Sequence, residues 1–397
     1  MTSPEGVPLL DVGRGNGVLH REILAAVEAV LMSGRFLHGP DVTALEEEIA
    51  ARSEVGHAIA CASGSDALLL ALMALGVGPG DEVICPSFTF FATASCVHRL
   101  GGTIVFADID PTSFNVDPAH VGRLITDRTK AVIPVHLFGQ SADMGRLQAL
   151  CRPRGIPIVE DVCQAIGARW DGRSVGSFGD VGCLSFYPTK TLGGAGDGGM
   201  MVTRLPLLER RLRLAAAHGM QPRYHHKMVG INSRLDTIQA AILRVKHRHL
   251  DAAIEARRAN AERYHAMFAD AGLEGLVAPP SEAPGAFHTW NQYTVRVLDG
   301  PGRLKTVTTG GEPSARDGLR AALADRKIGT EVYYPIPLHR QECFWGLGYG
   351  PGTLPETERA AGDVLSLPIY PEVTAAEQAT VVAAIRETLT ARRLKAA

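Results

Sequence analysis

The feature that most narrows the fold of this chain is a rhythm. Short apolar runs rich in Val and Ile occupy residues 57–62, 81–85, 103–108, 131–135, 157–160 and 181–186, and helical patterns lie between them. Strands this short, alternating with helices, pair in parallel and are joined by right-handed crossovers. The fold class is therefore α/β. In such sheets ligands bind beyond the carboxyl ends of the strands. Gly64, Phe90, His136, Asp161 and Ser185 each fall just after a predicted strand end, which gathers them at one site.

From Ile158 to Met201 the chain reads IVEDVCQAIGARWDGRSVGSFGDVGCLSFYPTKTLGGAGDGGMM. One apolar strand ends in Asp161, the next in Ser185, and Lys190 follows with glycines behind it. This order fits the grip and covalent anchor of pyridoxal phosphate. Lys190 is expected to form the Schiff base. Asp161 is expected against the pyridine nitrogen, where an ionised carboxylate keeps that nitrogen protonated and the ring an electron sink. Ser185 is expected to donate to the phosphate. Gly193 to Gly199 are expected to supply positive φ and close backbone approach. Singly, each piece has a plainer reading: a solvated lysine, an Asp ending a strand, a glycine turn. The arrangement carries more than its parts.

The first run leads into SGSDALLLAL, a strand, a small polar turn and an apolar helix. A helix N-terminus aims N–H groups at an anion. Gly64, Ser65 and Asp66 are expected to receive the phosphate, with Asp66 acting through its N–H or as a helix cap. An ordinary capped helix has the same pattern. Phe90 or Phe91 could stack on a pyridine ring, although core packing explains either.

With 397 residues the chain exceeds what one core commonly supports, so two domains are expected: residues 1–250 as a large cofactor-binding domain and 251–397 as a small α+β domain. A helical pattern from about Asp236 to Ala271, broken little if at all, reads as a bridge between the domains. Asp41 and Thr43 are candidate caps for the helix that follows them. In the small domain, strands are expected at 289–297 and 329–334, a Gly/Pro/Thr-rich loop between them, and helices at 319–325 and 374–393. The net charge of −2 gives no basic field for nucleic acid or an anionic membrane. Seven scattered cysteines without CxxC, no signal-like N-terminus and no long apolar span indicate a cytoplasmic protein with reduced thiols. His225-His226 and His247-x-His249 lack supporting ligands, so no metal is expected.

With these residues in place, the chain resembles the DegT–StrS group of nucleotide-sugar aminotransferases, within fold type I pyridoxal phosphate enzymes. The resemblance spans nearly the whole chain through FLHGPDVTALEEEIA, SGSDALLLAL, GPGDEVI, FTFFATA, FADIDP, PVHLFGQ, VEDVCQAIGA, SFYPTKTLGGAGDGG, GINSRLDTIQAA, YYPIPLH and LSLPIYP. It implies a large, mostly parallel seven-stranded sheet domain, a small C-terminal domain, and a homodimer with sites at the subunit interface. By position it implies Lys190 as the Schiff-base lysine, Asp161 at the ring nitrogen, Gln164 on a ring face or near the ring hydroxyl, and Phe90 on the other face. Ser185 with the Ser65-Asp66 turn would hold the phosphate, and Asn232 would reach it from the partner subunit.

The resemblance further implies L-glutamate as amino donor, pyridoxamine phosphate between two half-reactions, and a keto-sugar nucleotide as acceptor. Some members carry His in place of the lysine and are dehydratases; Lys190 favours transamination. GINSRLD, with Arg234 after Asn232, is similar to members acting on UDP-linked 3-keto-N-acetylhexosaminuronates, where a guanidinium could take the sugar carboxylate. A 4-keto-6-deoxy sugar nucleotide is the rival acceptor. Tyr333 and His339 are candidate diphosphate or uridine contacts. A sugar dehydratase and a non-catalytic regulator are the competing classes, and no extra segment reads as a DNA-binding module.

Overall fold

In the computed structural model, which describes residues 6–298 and 314–396, the apolar runs form one sheet. Its strands are β1 (His57–Cys61), β2 (Glu82–Pro86), β3 (Thr103–Ala107), β4 (Thr129–Val132), β5 (Val159–Asp161), β8 (Val181–Ser185) and β9 (Gly199–Thr203). The short β6 (Arg169–Trp170) and β7 (Arg173–Ser174) lie outside it. Strand order is β1-β9-β8-β5 on one side and β4-β2-β3 on the other. Parallel bridges Val132–Ile158 and Val135–Asp161 join the halves. Only β9 runs antiparallel to its neighbours, so the sheet has seven strands and is mostly parallel.

Both faces are covered, as a parallel sheet requires. The preceding helices are α1 (Val12–Val18), α2 (His20–Ser33), α3 (Pro40–Arg52), α4 (Gly64–Leu75), α5 (Ala92–Arg99), α6 (Pro118–Leu124), α7 (Met144–Cys151), α8 (Pro206–Ala216), α9 (Thr237–His247) and α10 (Leu250–Asp270). Ile59, Cys61, Cys183 and Met201 pack on one face with α4, α5 and α8. Their strand neighbours Ala58, Ala60, Leu184 and Met200 pack on the other with α3 and α9. That is the period-2 alternation of a strand.

The helical pattern from Asp236 to Ala271 is broken once. Helical geometry is lost at His249 (φ −105°, ψ 3°), between α9 and α10. The bridge is α10 alone: Leu250 and Ile254 belong to the sheet core, while Tyr264 and Phe268 belong to the core of the C-terminal half. The capping of α3 also differs. Its N-cap is Gly39 with Pro40 at the first position and no side-chain cap, and Asp41 is taken instead by Arg244 Nη1 at 2.6 Å. Pro at that position needs no N–H partner.

The C-terminal half holds an antiparallel sheet in the order β10 (Val277–Ala278), β12 (Tyr293–Val297), β13 (Val364–Leu367). Helices α11 (Ala315–Asp325), α12 (Pro355–Asp363) and α13 (Ala375–Ala396) accompany it. Between β10 and β12, β11 (Ala286–Phe287) returns to pair with β6. No strand forms over 329–334. Ile328 meets Val7 and Glu331 meets Ser366 as single bridges, and Pro335 and Pro337 follow at once. The Gly/Pro/Thr-rich loop lies, over residues 299–313, outside the described residues. Among the described residues no helix is long and apolar enough to cross a membrane.

Candidate active site

The carboxyl ends of β1, β5 and β8 meet at one place. Asp161 closes β5 and is 4% exposed. Its Oδ1 accepts the N–H of Cys163 at 3.1 Å and its Oδ2 accepts the Thr93 hydroxyl at 2.9 Å. Lys190 is the nearby cation. Burial lowers the Lys190 pKa, against the opposing pull of Cys163 and Asp161. The same burial raises the Cys163 thiol well above its ordinary value. A lysine held below its usual range has a larger neutral fraction near neutral pH, as a base requires.

Beneath this cluster, Glu160 anchors the strand end. It accepts from His136 Nε2 at 2.9 Å and from the N–H groups of Gly176 (2.8 Å) and Gly179 (2.6 Å). The Ala142 N–H donates to His136 Nδ1, so Nε2 carries the ring proton. His136 is thus a support of the strand ends, completely buried, and not a ligand-facing group.

The turn after β1 approaches β8 closely. A Cβ on Gly64 would lie 2.7 Å from Ser185 Cβ and 2.8 Å from Cys163 Sγ, so only glycine fits there. The helix cap is Ser63, whose Oγ accepts the Asp66 N–H at 3.1 Å, and Asp66 itself caps nothing. The S-x-x-D spacing carried that signal. The Asp66 carboxylate turns aside to accept the Ser233 hydroxyl at 2.7 Å. The first turn of α4 therefore presents N–H groups and the exposed Ser65 without a repelling charge aimed outward.

The glycines behind Lys190 act by proximity alone. None from Gly193 to Gly199 has a positive φ. A Cβ on Gly194 would sit 2.9 Å from Gln239 Oε1, and one on Gly198 2.8 Å from Leu235 Cδ1. Helix α9 braces this loop: Gln239 Oε1 accepts from the Ala195 N–H at 2.9 Å, and Lys246 Nζ donates to the Gly193 carbonyl at 2.8 Å.

Gln164 is fixed at both ends. Oε1 accepts the Phe138 N–H at 2.8 Å and Nε2 donates to Tyr334 Oη at 2.9 Å. The Tyr334 ring reaches Phe90, centroids 6.4 Å apart, and Phe90 is 56% exposed. Phe91 instead stacks on Phe344 at 5.5 Å, and the core residue of this segment is Phe88. Tyr333 lines a small cavity with Lys190, Asn291 and Gln292. Thr93, Cys163 and Tyr334 are site residues that motif reading did not single out.

Three candidates lie elsewhere. Asn232 and Arg234 are exposed, alternating with buried Ser233 and Leu235, and neither bonds to the Lys190 cluster among the described residues. His339 is corrected as a diphosphate or uridine contact. It is completely buried, with Nδ1 2.7 Å from Ser87 Oγ and Nε2 3.3 Å from Glu358, so no ring nitrogen is left for a ligand.

These residues fit pyridoxal phosphate. A buried carboxylate, a lysine, an amide, a helix N-terminus beside a serine, and a glycine contact that a Cβ would close all converge. The profile of the DegT/DnrJ/EryC1/StrS aminotransferase family matches residues 18–386. A protein of Geobacillus stearothermophilus named a pleiotropic regulatory protein is 46% identical, over 96% of this chain and 98% of its own. The UDP-N-acetyl-3-dehydro-α-D-glucosamine 3-aminotransferase of Acidithiobacillus ferrooxidans is 43% identical, over 98% and 100%. Several relatives carry names that put the amino or oxo group at ring carbon 3 of a UDP- or dTDP-linked sugar, one of them a glucuronate.

Among solved structures, S. venezuelae DesV, in complex with a ketimine intermediate, superposes with a TM-score of 0.89 at 42% identity, covering 97% of this chain and 98% of that one. NtdA of Bacillus subtilis, with bound PMP cofactor, gives 0.87 at 30% identity, covering 98% and 86%. The chain belongs to the DegT/DnrJ/EryC1/StrS aminotransferase family and is a fold type I, pyridoxal phosphate-dependent sugar aminotransferase.

Proposed function

We propose that the chain transfers an amino group from L-glutamate to carbon 3 of a UDP-linked 3-keto-N-acetylhexosaminuronate, as a homodimer in the cytoplasm. When bound, pyridoxal phosphate supplies the carbonyl that accepts the amine and the electron sink that lets the α-carbon proton leave. Lys190 anchors it and, once free, carries the proton off the donor's α-carbon and later returns one to the sugar carbon. Its lowered pKa favours the neutral amine this needs. Asp161 keeps the ring nitrogen protonated. Ser185, Gly64 and Ser65 hold the phosphate at the start of α4, where Asp66 serves the turn by donating its N–H to the Ser63 cap, and Gln164 and Phe90 flank the ring. In this reading the large domain, residues 1–250, carries the site and residues 251–397 form the smaller domain beside it.

The uronate assignment rests on Arg234. It is exposed, has no carboxylate partner among the described residues, and stands two residues from Asn232 on one outward face. In a homodimer that face would serve the neighbouring subunit, Asn232 at the phosphate and Arg234 at the sugar carboxylate in a bidentate fork. Tyr333, beside Lys190, would bound the sugar. The neutral UDP-3-keto-N-acetylglucosamine is the second reading, favoured by the name of the 43%-identical relative.

The test is to give the holoenzyme 15N-glutamate with each 3-keto sugar nucleotide and a dTDP-4-keto-6-deoxy sugar, then follow 15N into product by mass. Label in the uronate with 2-oxoglutarate formed supports the reading. Label only in the neutral sugar replaces the uronate assignment, and label only in the dTDP sugar replaces the acceptor altogether. Consumption of sugar without 2-oxoglutarate would indicate dehydration.

A further inference from the structure

The Asp161 carboxylate is gripped from behind by a chain of two hydroxyls. Thr93 lies in the first turn of α5, completely buried, and donates to Oδ2 at 2.9 Å. Thr89 Oγ1 lies 3.1 Å from Thr93 Oγ1 and is also buried. A threonine hydroxyl has one proton, and an ionised carboxylate only accepts. The Thr93 proton therefore points to Asp161, and Thr89 must donate to Thr93.

Among the described residues, Thr93 is the one side chain with a hydroxyl hydrogen bond to the Asp161 carboxylate. The ionisable groups that face Asp161 are the thiols of Cys85, Cys96, Cys163 and Cys183, the Lys190 amine and the Tyr334 hydroxyl; burial foremost, with the Asp161 charge adding to it, raises each thiol. The thiols are neutral, weak donors. The segment that carries the hydroxyls also carries Phe90 and Phe91, so one stretch of chain shapes both the aromatic wall and the support of the carboxylate.

A carboxylate facing a ring nitrogen shares one proton with it. A donor on its far oxygen fixes the plane of the carboxylate and so the direction of its other oxygen, and in a buried site hydrogen-bonded chains reinforce this. We infer that Thr93, backed by Thr89, is a positioning residue for amino transfer that keeps the Asp161 carboxylate aimed at the cofactor nitrogen. This rests on reading Asp161 as the partner of that nitrogen.

The test uses holoenzyme of wild type, Thr93→Val, Thr93→Ser and Thr89→Val. Two quantities are read: the pH titration of the cofactor absorbance, and single-turnover rates with glutamate and with glutamate deuterated at the α-carbon. Valine keeps the branched shape and removes only the donor. Loss of a hydrogen bond to a charged group predicts a rate lowered by about 10- to 100-fold in T93V. Half-saturating glutamate should stay within about twofold, because the contact is not to substrate. The spectral titration should shift and the isotope effect grow as proton removal becomes slower. T93S should match wild type and T89V fall between.

If T93V cannot retain the cofactor while T93S retains it with the wild-type titration, the hydroxyl is again the cause. A T93V protein with wild-type titration and rate, or a T93S protein as impaired as T93V, would overturn the inference. An Asp161→Asn protein with an unchanged titration would instead contradict the site reading itself.

Discussion

The carboxylate of Asp66 and the hydroxyl of Ser233 lie 2.7 Å apart, and Ser233 Oγ also accepts the Ala62 N–H at 3.0 Å. One serine thus ties the start of α4 to the segment that presents Asn232 and Arg234. Ser233 is 1% exposed, while its partners Asp66 and Ala62 are partly exposed. Ser233→Ala removes both bonds and should cost about 0.5–1.5 kcal/mol, since the partly exposed partners can turn to water. It should also weaken cofactor binding by freeing the Asp66 charge beside the phosphate. Urea denaturation and a cofactor titration check both; an unchanged cofactor affinity would mean that the bond is only structural.

Glu160 is the acceptor for three buried donors, from His136, Gly176 and Gly179. Glu160→Ala should cost about 3–5 kcal/mol, the scale of breaking a buried polar pair from one side. Glu160→Gln retains one acceptor oxygen and should lose less. Equal stability of the two variants would show that neither the retained acceptor oxygen nor side-chain volume holds the end of β5, leaving the carboxylate charge as the cause.

Close packing at two glycines gives unequal expectations. Gly64→Ala would force a Cβ to 2.7 Å from Ser185 Cβ, and cofactor affinity should fall by about tenfold or more. Gly196→Ala meets only the Gln239 side-chain amide, Nε2 at 3.1 Å and Cδ at 3.6 Å, and no backbone, so it should cost far less than Gly64→Ala. Cofactor titration of both variants separates a site contact from general loop sensitivity.

Burial lowers the Lys190 pKa from its ordinary 10.5. In the apoprotein the unfolded chain therefore binds that proton more tightly than the folded one. Stability contributed by this group rises with pH between the folded value and 10.5. Lys190→Met apoprotein should be more stable than wild-type apoprotein at neutral pH, with the gap narrowing as pH rises into the lysine range. Denaturation of both at several pH values checks the sign; a pH-independent gap would mean that the lysine is not desolvated in the apoprotein.

Much of this was legible in the sequence, for a physical reason. Strands buried on both faces must be short and rich in Val and Ile, so their ends, and the residues placed there, could be read directly. Asp161, Ser185 and Lys190 stood out because order along the chain maps onto neighbouring strand ends. Long-range contacts could not be read. Thr93 lies 68 residues from Asp161, and Tyr334 lies 170 residues from Gln164. The glycines were legible as necessary but not why, since composition does not separate positive φ from close approach. His339 was misjudged because a histidine between prolines and a turn looks exposed, whereas Ser87 and Glu358 enclose it.

The central claim is that Lys190 serves a cofactor that glutamate loads with nitrogen and a keto sugar nucleotide unloads. The most direct measurement is the visible absorbance of the holoenzyme before and after L-glutamate, and again after each candidate sugar. A visible band that glutamate bleaches and one UDP-linked 3-keto sugar restores, with Lys190→Met showing neither change, is the predicted result. A band that glutamate leaves untouched, or a Lys190→Met protein that bleaches and recovers like wild type, would contradict the account.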